Sequence, residues 1–138
     1  MRIDTRRIQI LTRQTIILMG AFLSIVVLTL ATTASLSAGE ADVVNVTIHK
    51  MGRDKFTINA TLSHADTGWD HYANRWEVLD SDGNILGTRV LHHPHVDEQP
   101  FTRSLTLEIP RSITEVIIRA GDSVHDIGGK EMTIAVPH

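Results

Sequence analysis

Six of the eight histidines in this 138-residue chain fall in three short stretches: His64 with His71, then His92, His93 and His95, then His125. Each stretch also carries carboxylates, among them Asp70, Asp97 and Asp122. Neutral imidazole is the commonest protein ligand for borderline transition metals. A carboxylate either joins it on the metal or orients the ring through its second nitrogen. This company of residue types points to a bound ion such as Zn or Cu. His93 and His95 stand two apart with Pro94 stiffening the backbone between them. Alternate side chains of an extended segment share a side, so both imidazoles are expected to face one way while His92 points elsewhere. The candidate ligands are therefore His64, His71, His93, His95 and His125, with Asp70, Asp97 and Asp122 as orienting carboxylates. Gly128-Gly129, just after His125, lets backbone approach closely or forms a simple turn.

Other chemistries find less support. The chain has no cysteine, which excludes a thiolate nucleophile and any disulfide. Ser63, Ser104 and Ser123 lie in no Gly-x-Ser-x-Gly elbow, and no His-Glu-x-x-His is present. Asp80-Ser81-Asp82-Gly83-Asn84 resembles the start of a calcium loop but lacks the downstream glutamate, and reads as a hairpin turn. Trp69 and Tyr72 are expected to cover the top of a core, and Arg103 to pair with Asp97 or Glu98.

The elements that must position these residues are strands. From Val43 onward apolar residues recur with period two: Phe56, Ile58, Ala60 and Leu62 alternate with Thr57, Asn59, Thr61 and Ser63. Similar runs at 44–51, 74–79, 85–91, 101–109, 116–120 and 132–136 bring the count to seven, with turn signals at 52–54, 80–84 and 110–112. This pattern predicts a seven-stranded antiparallel β-sandwich of immunoglobulin or fibronectin type III kind, with Trp76 in its core. If consecutive strands run antiparallel, loops 64–73, 92–100 and 121–130 share one pole. His49 and His138 are expected toward the other.

Residues 1–38 read as an export signal, four arginines preceding a 17-residue apolar run, or as an uncleaved membrane anchor. Cleavage is expected after Ala38, with Ala34 and Ala41 as alternatives, leaving 39–138 as the β-sandwich domain. That domain carries 9 basic against 15 acidic side chains, a balance that excludes nucleic acid as a partner. The expected location is periplasmic or secreted, with membrane contact only through the N-terminal segment if it is retained.

Trp69-Asp70-His71-Tyr72, the run from His93-Pro94-His95 to Arg103-Ser104, and the run from Asp122-Ser123-Val124-His125 to Lys130-Glu131 resemble a group of small exported bacterial proteins. That resemblance implies a periplasmic location and no assigned activity. Leu62-Ser63-His64, Thr67-Gly68 and Pro100-Phe101 are similar to the immunoglobulin-like sulfur-compound chelating subunit of the thiosulfate-oxidising carrier complex, which implies a cysteine-free sandwich that binds a carrier. The function expected is a periplasmic transition-metal-binding sandwich that stores, carries or senses its ion. The alternative is a non-catalytic protein-interaction or anion-binding module of a periplasmic complex. A metal-dependent enzyme would additionally need an open coordination position inside a pocket.

Overall fold

The computed structural model describes residues 39–138; the expected export signal lies outside them. Eight strands follow one another: β1 (Asp42–Lys50), β2 (Lys55–Ser63), β3 (Ala73–Leu79), β4 (Ile85–Val90), β5 (Phe101–Glu108), β6 (Glu115–Asp122), β7 (Asp126–Ile127) and β8 (Met132–Ala135). They form a three-stranded sheet in the order β1-β2-β5 and a five-stranded sheet in which β4-β3-β6 is continued by β7 and β8. Every pairing is antiparallel. No helix long and apolar enough to cross a membrane occurs among the described residues.

Period two decides which side chains enter the core. Phe56, Ile58, Ala60 and Leu62 of β2 are fully buried, and the threonines and asparagine between them are not. They face Trp76 and Val78 of β3 and Val116, Ile118 and Ala120 of β6 across the sandwich. Trp76 is completely enclosed, as its place in the third strand predicts.

The strand count differs from seven at one edge. β7 and β8 both pair with β6, and the chain between them leaves the ladder around residues 128–131. Lys130 there donates its backbone N–H to the Asp42 carboxylate at 2.7 Å and accepts from the N–H of Val43 at 2.8 Å. The expected strand 132–136 is present as β8, and the extra strand β7 arises inside the expected loop 121–130, separated from β8 by the residues that hold the start of β1.

The connections sort by pole as the antiparallel rule requires. Ile109 N–H donates to Asp54 O at 2.8 Å, which ties the 51–54 turn to the 109–114 connection. In the β3–β4 hairpin Asp80 accepts the N–H of Asp82 and Asn84, and Gly83 takes a φ of 85°. His138 packs edge-on to Phe56 at this pole, 5.4 Å between centroids. The connections after β2, β4 and β6 gather at the other.

Candidate metal centre

Two loops are zipped together at the histidine pole. A tight turn brings His71 back toward Gly68, with Thr67 N–H donating to His71 O at 3.0 Å. Beyond it, Ser123 N–H donates to Tyr72 O at 2.9 Å and Tyr72 N–H donates to Ser123 Oγ at 3.1 Å. These bonds set the His71 ring against the end of β6, where Asp122 is fully enclosed. His71 Nε2 stands 3.2 Å from Asp122 Oδ1 and 3.2 Å from His64 Nε2. Both imidazole nitrogens also face the backbone carbonyl oxygen of Gly39, at 3.1 Å from His64 and 3.2 Å from His71.

His64 is held from behind. Its Nδ1 lies 2.5 Å from Asp66 Oδ1, and both side chains are almost wholly out of contact with solvent. Asp66 also accepts the N–H of Ala73 at 3.0 Å and of His95 at 2.6 Å. One buried carboxylate therefore ties two loops and the start of β3 together. With Nδ1 of His64 turned to Asp66, Nε2 is the ring nitrogen left facing His71 and Gly39.

Asp122 Oδ1 takes backbone N–H groups of Val124 at 2.8 Å and His125 at 2.7 Å, and His125 Nδ1 lies 3.2 Å away. Burial pushes this carboxyl upward. The two backbone donors and the nearby His125 and His64 outweigh it and hold the carboxyl below the usual carboxylate range. Its other oxygen, Oδ2, is buried without a hydrogen-bond partner among the described residues.

The donor set fits a metal ion in its chemistry: two ring nitrogens, a carboxylate and a backbone carbonyl oxygen converge, and each can offer a lone pair to a cation. One ligand atom from each of His64, His71 and Asp122 lies within 4.8 Å of the others. Tetrahedral arms of about 2.0–2.2 Å place neighbouring ligands roughly 3.3–3.6 Å apart, so the 3.1–3.2 Å separations need only a slight spreading to close around one ion.

The expected residues divide. His64 and His71 converge with Asp122, the three each placing one possible ligand atom within 4.8 Å of the others. His125 stands at the rim, its ring centroid 5.0 Å from that of His71. His93 and His95 are not brought to this point. His95 is buried with its ring stacked on Phe101, centroids 3.8 Å apart; its Nδ1 lies 4.0 Å from Asp66 Oδ2, and neither ring nitrogen has a hydrogen-bond partner among the described residues. His93 leans on its outer side at 4.6 Å. The parity argument does put the two rings together, but Phe101 has claimed the inward one. Asp70 and Asp97 are exposed and outside the cluster.

Trp69 does not cover the core; it is 68% exposed and, with His93, His95, Val96 and Asp97, lines a shallow cavity of about 550 Å³. Arg103 pairs with Glu98 at 2.9 Å and lies over the Phe101 ring. Sequence reasoning missed Asp66 and Gly39. The His64-Ala65-Asp66 spacing was the available signal for the first.

The fold and this cluster define an all-β sandwich with a histidine–aspartate group able to hold a metal. No family model matches the chain. A Halomicrobium mukohataei protein named as a putative lipoprotein is 41% identical over 102 residues, 74% of this chain. The chain spans only 50% of that relative's length. Two solved structures are similar in fold. A superoxide reductase (neelaredoxin) of Ignicoccus hospitalis shares 13% identity over 77% of this chain and 87% of its own, with a TM-score of 0.48. A superoxide reductase (1Fe-SOR) of Giardia intestinalis shares 13% over 69% of this chain and 99% of its own, with a TM-score of 0.41. Likenesses of this degree leave the chemistry of the site to its own residues. None of the three is named as a sulfur-compound chelating subunit.

Proposed function

We propose that the chain is an exported transition-metal-binding domain, in which His64 Nε2, His71 Nε2 and Asp122 Oδ1 hold the ion, Gly39 O adds a neutral donor and His125 stands at the rim. The observation that carries this reading is the convergence of His64, His71 and Asp122, one ligand atom of each lying within 4.8 Å of the others, with Gly39 O beside both ring nitrogens. Nitrogen donors with one carboxylate and a carbonyl suit Zn(II) or Cu(II), borderline ions that take imidazole together with oxygen. Such an ion would tie the β2–β3 connection to the end of β6 and to the segment ahead of β1, and would polarise whatever entered a free coordination position.

The role is to store, carry or sense the ion in a periplasmic or extracellular space. The apolar N-terminal run of the sequence supports export, as does the relative's name. A carrier must hand its ion to a partner protein, and the exposed Trp69, Val96 and Val124 are what that partner would meet first.

Calorimetric titration with Zn(II) and with Cu(II), at neutral pH and at about pH 5, tests the reading. Stoichiometric binding at micromolar metal is expected at neutral pH, weakening in acid because protons compete for imidazole nitrogen. Absence of stoichiometric binding to both metals overturns it.

A further inference from the structure

One donor of the cluster comes from backbone, and the fold takes trouble to place it. Ahead of β1, residues 39–41 cross the histidine pole as a strap. Ala41 is completely buried in the core. Asp42 and Val43 are bonded on both sides of Lys130. The close approach depends on Gly129, where a Cβ would overlap the Ala41 carbonyl. At the free end Gly39 lies against the His125 ring, and a Cβ on it would stand 2.7 Å from Cε1 and 3.0 Å from Nε2. The strap is thereby clamped with the Gly39 carbonyl aimed at His64 and His71.

Resting on the metal-binding reading above, we propose that the exported chain begins at Gly39, and that the α-amine freed there joins the Gly39 carbonyl as a chelate on the ion held by His64, His71 and Asp122. An amide nitrogen is a poor ligand because its lone pair is delocalised into the carbonyl. Hydrolysis of the Ala38–Gly39 bond removes that delocalisation. Water adds across the bond, Ala38 keeps the new carboxylate, Gly39 keeps the nitrogen as an amine, and no electron is exchanged. Nitrogen and carbonyl oxygen of one residue then close a five-membered ring with the metal.

The three small residues that suit a signal peptidase are not equivalent on this structure. Cutting after Ala41 discards the Gly39 carbonyl together with a fully buried core residue. Cutting after Ala34 leaves the amine on Ser35, remote in sequence from the carbonyl it must chelate with. Only Ala38 puts the amine on the residue whose carbonyl already faces the two imidazoles. The full site then exists only after processing, so the precursor cannot take up metal with the same affinity before export.

The test has two measurements. The full chain is expressed with its leader, and the exported protein is weighed intact by mass spectrometry; a mass beginning at Gly39 is expected, and any other first residue overturns the proposal. The processed protein is then titrated with Zn(II) and Cu(II) before and after mild transamination, which turns the α-amine alone into a carbonyl and leaves lysines intact. Treatment should weaken binding by about 10-fold or more, the least that losing even an outer partner costs a metal site. The visible absorption of the Cu(II) form should also move to longer wavelength as a nitrogen donor is lost. Equal affinity before and after overturns the chelate and leaves the metal-binding reading standing. No binding by either form overturns both.

Discussion

His64 Nδ1 meets Asp66 Oδ1 at 2.5 Å in a region closed to solvent, and the same carboxylate takes the backbone N–H of His95 at 2.6 Å. The orientation of a candidate ligand and the path of a second loop thus hang on one side chain. An Asp66→Asn variant keeps the shape but offers an amide hydrogen where a second acceptor was needed. It should lose about 1–3 kcal/mol of stability in metal-free urea unfolding, the penalty of a buried donor left unpaired. Its metal affinity should fall by about 10- to 100-fold. Unchanged values in both measurements would remove Asp66 from this role.

Replacing the converging groups singly should separate them from their neighbours. His64→Ala, His71→Ala and Asp122→Ala are each expected to abolish stoichiometric binding, whereas His93→Ala and His49→Ala should titrate like the native protein. A thermal readout checks the same point. Metal at 100 times its Kd adds about 2.7 kcal/mol to the native fold and should add nothing to the three site variants. Loss of binding in His93→Ala would place the centre elsewhere.

His95 gives a pH dependence whose sign follows from its surroundings. Burial lowers its affinity for protons, the positive charges of Arg103 and His93 add to that, and Glu98 and Asp66 oppose it. The folded value therefore lies below the unfolded one, ordinarily about 6.5. The unfolded chain binds the extra proton, so this contribution is complete above that pH and is lost as pH falls through it. His95→Phe removes the titration, keeps the stack on Phe101 and leaves the backbone bond to Asp66 intact. Metal-free stability between about pH 7 and pH 5 should fall less steeply in the variant than in the native protein. Parallel curves would count against the assignment.

Gly129→Ala tests the clamp on the strap. A methyl group there meets the Ala41 carbonyl, so the strap must shift or the edge must open. Stability should fall by about 1–3 kcal/mol, as overpacking costs. Metal affinity should fall with it as the Gly39 carbonyl leaves its place. A variant that loses stability alone would show that the strap is anchored independently of the site.

Much of this arrangement could be read without coordinates, because the forces behind it are local. Alternation along Phe56, Ile58, Ala60 and Leu62 specifies a half-buried strand from neighbouring residues alone. Antiparallel order then sends the loops bearing His64, His71, Asp122 and His125 to one pole. What escaped depends on partners distant in the chain. Asp66 is explained by His95, 29 residues on, and the break between β7 and β8 by Asp42, 88 residues before Lys130. His95 obeyed its local parity, yet the aromatic face that received it belongs to Phe101. Gly39 sits beside an apparent export signal and looked like a cleavage remnant. Its carbonyl acquires meaning only once both histidines stand beside it.

His71 and Asp122 are 51 residues apart, and the chain between them runs through β3, β4, β5 and β6. An ion bridging them closes a loop of that length. By the chain-entropy estimate used for covalent cross-links, such a closure removes about 4 kcal/mol of freedom from the unfolded ensemble. A cysteine-free domain would in this way gain a staple that needs no oxidant and no thiol partner. It could be inserted from the surrounding medium after folding, and withdrawn by a chelator without breaking a covalent bond.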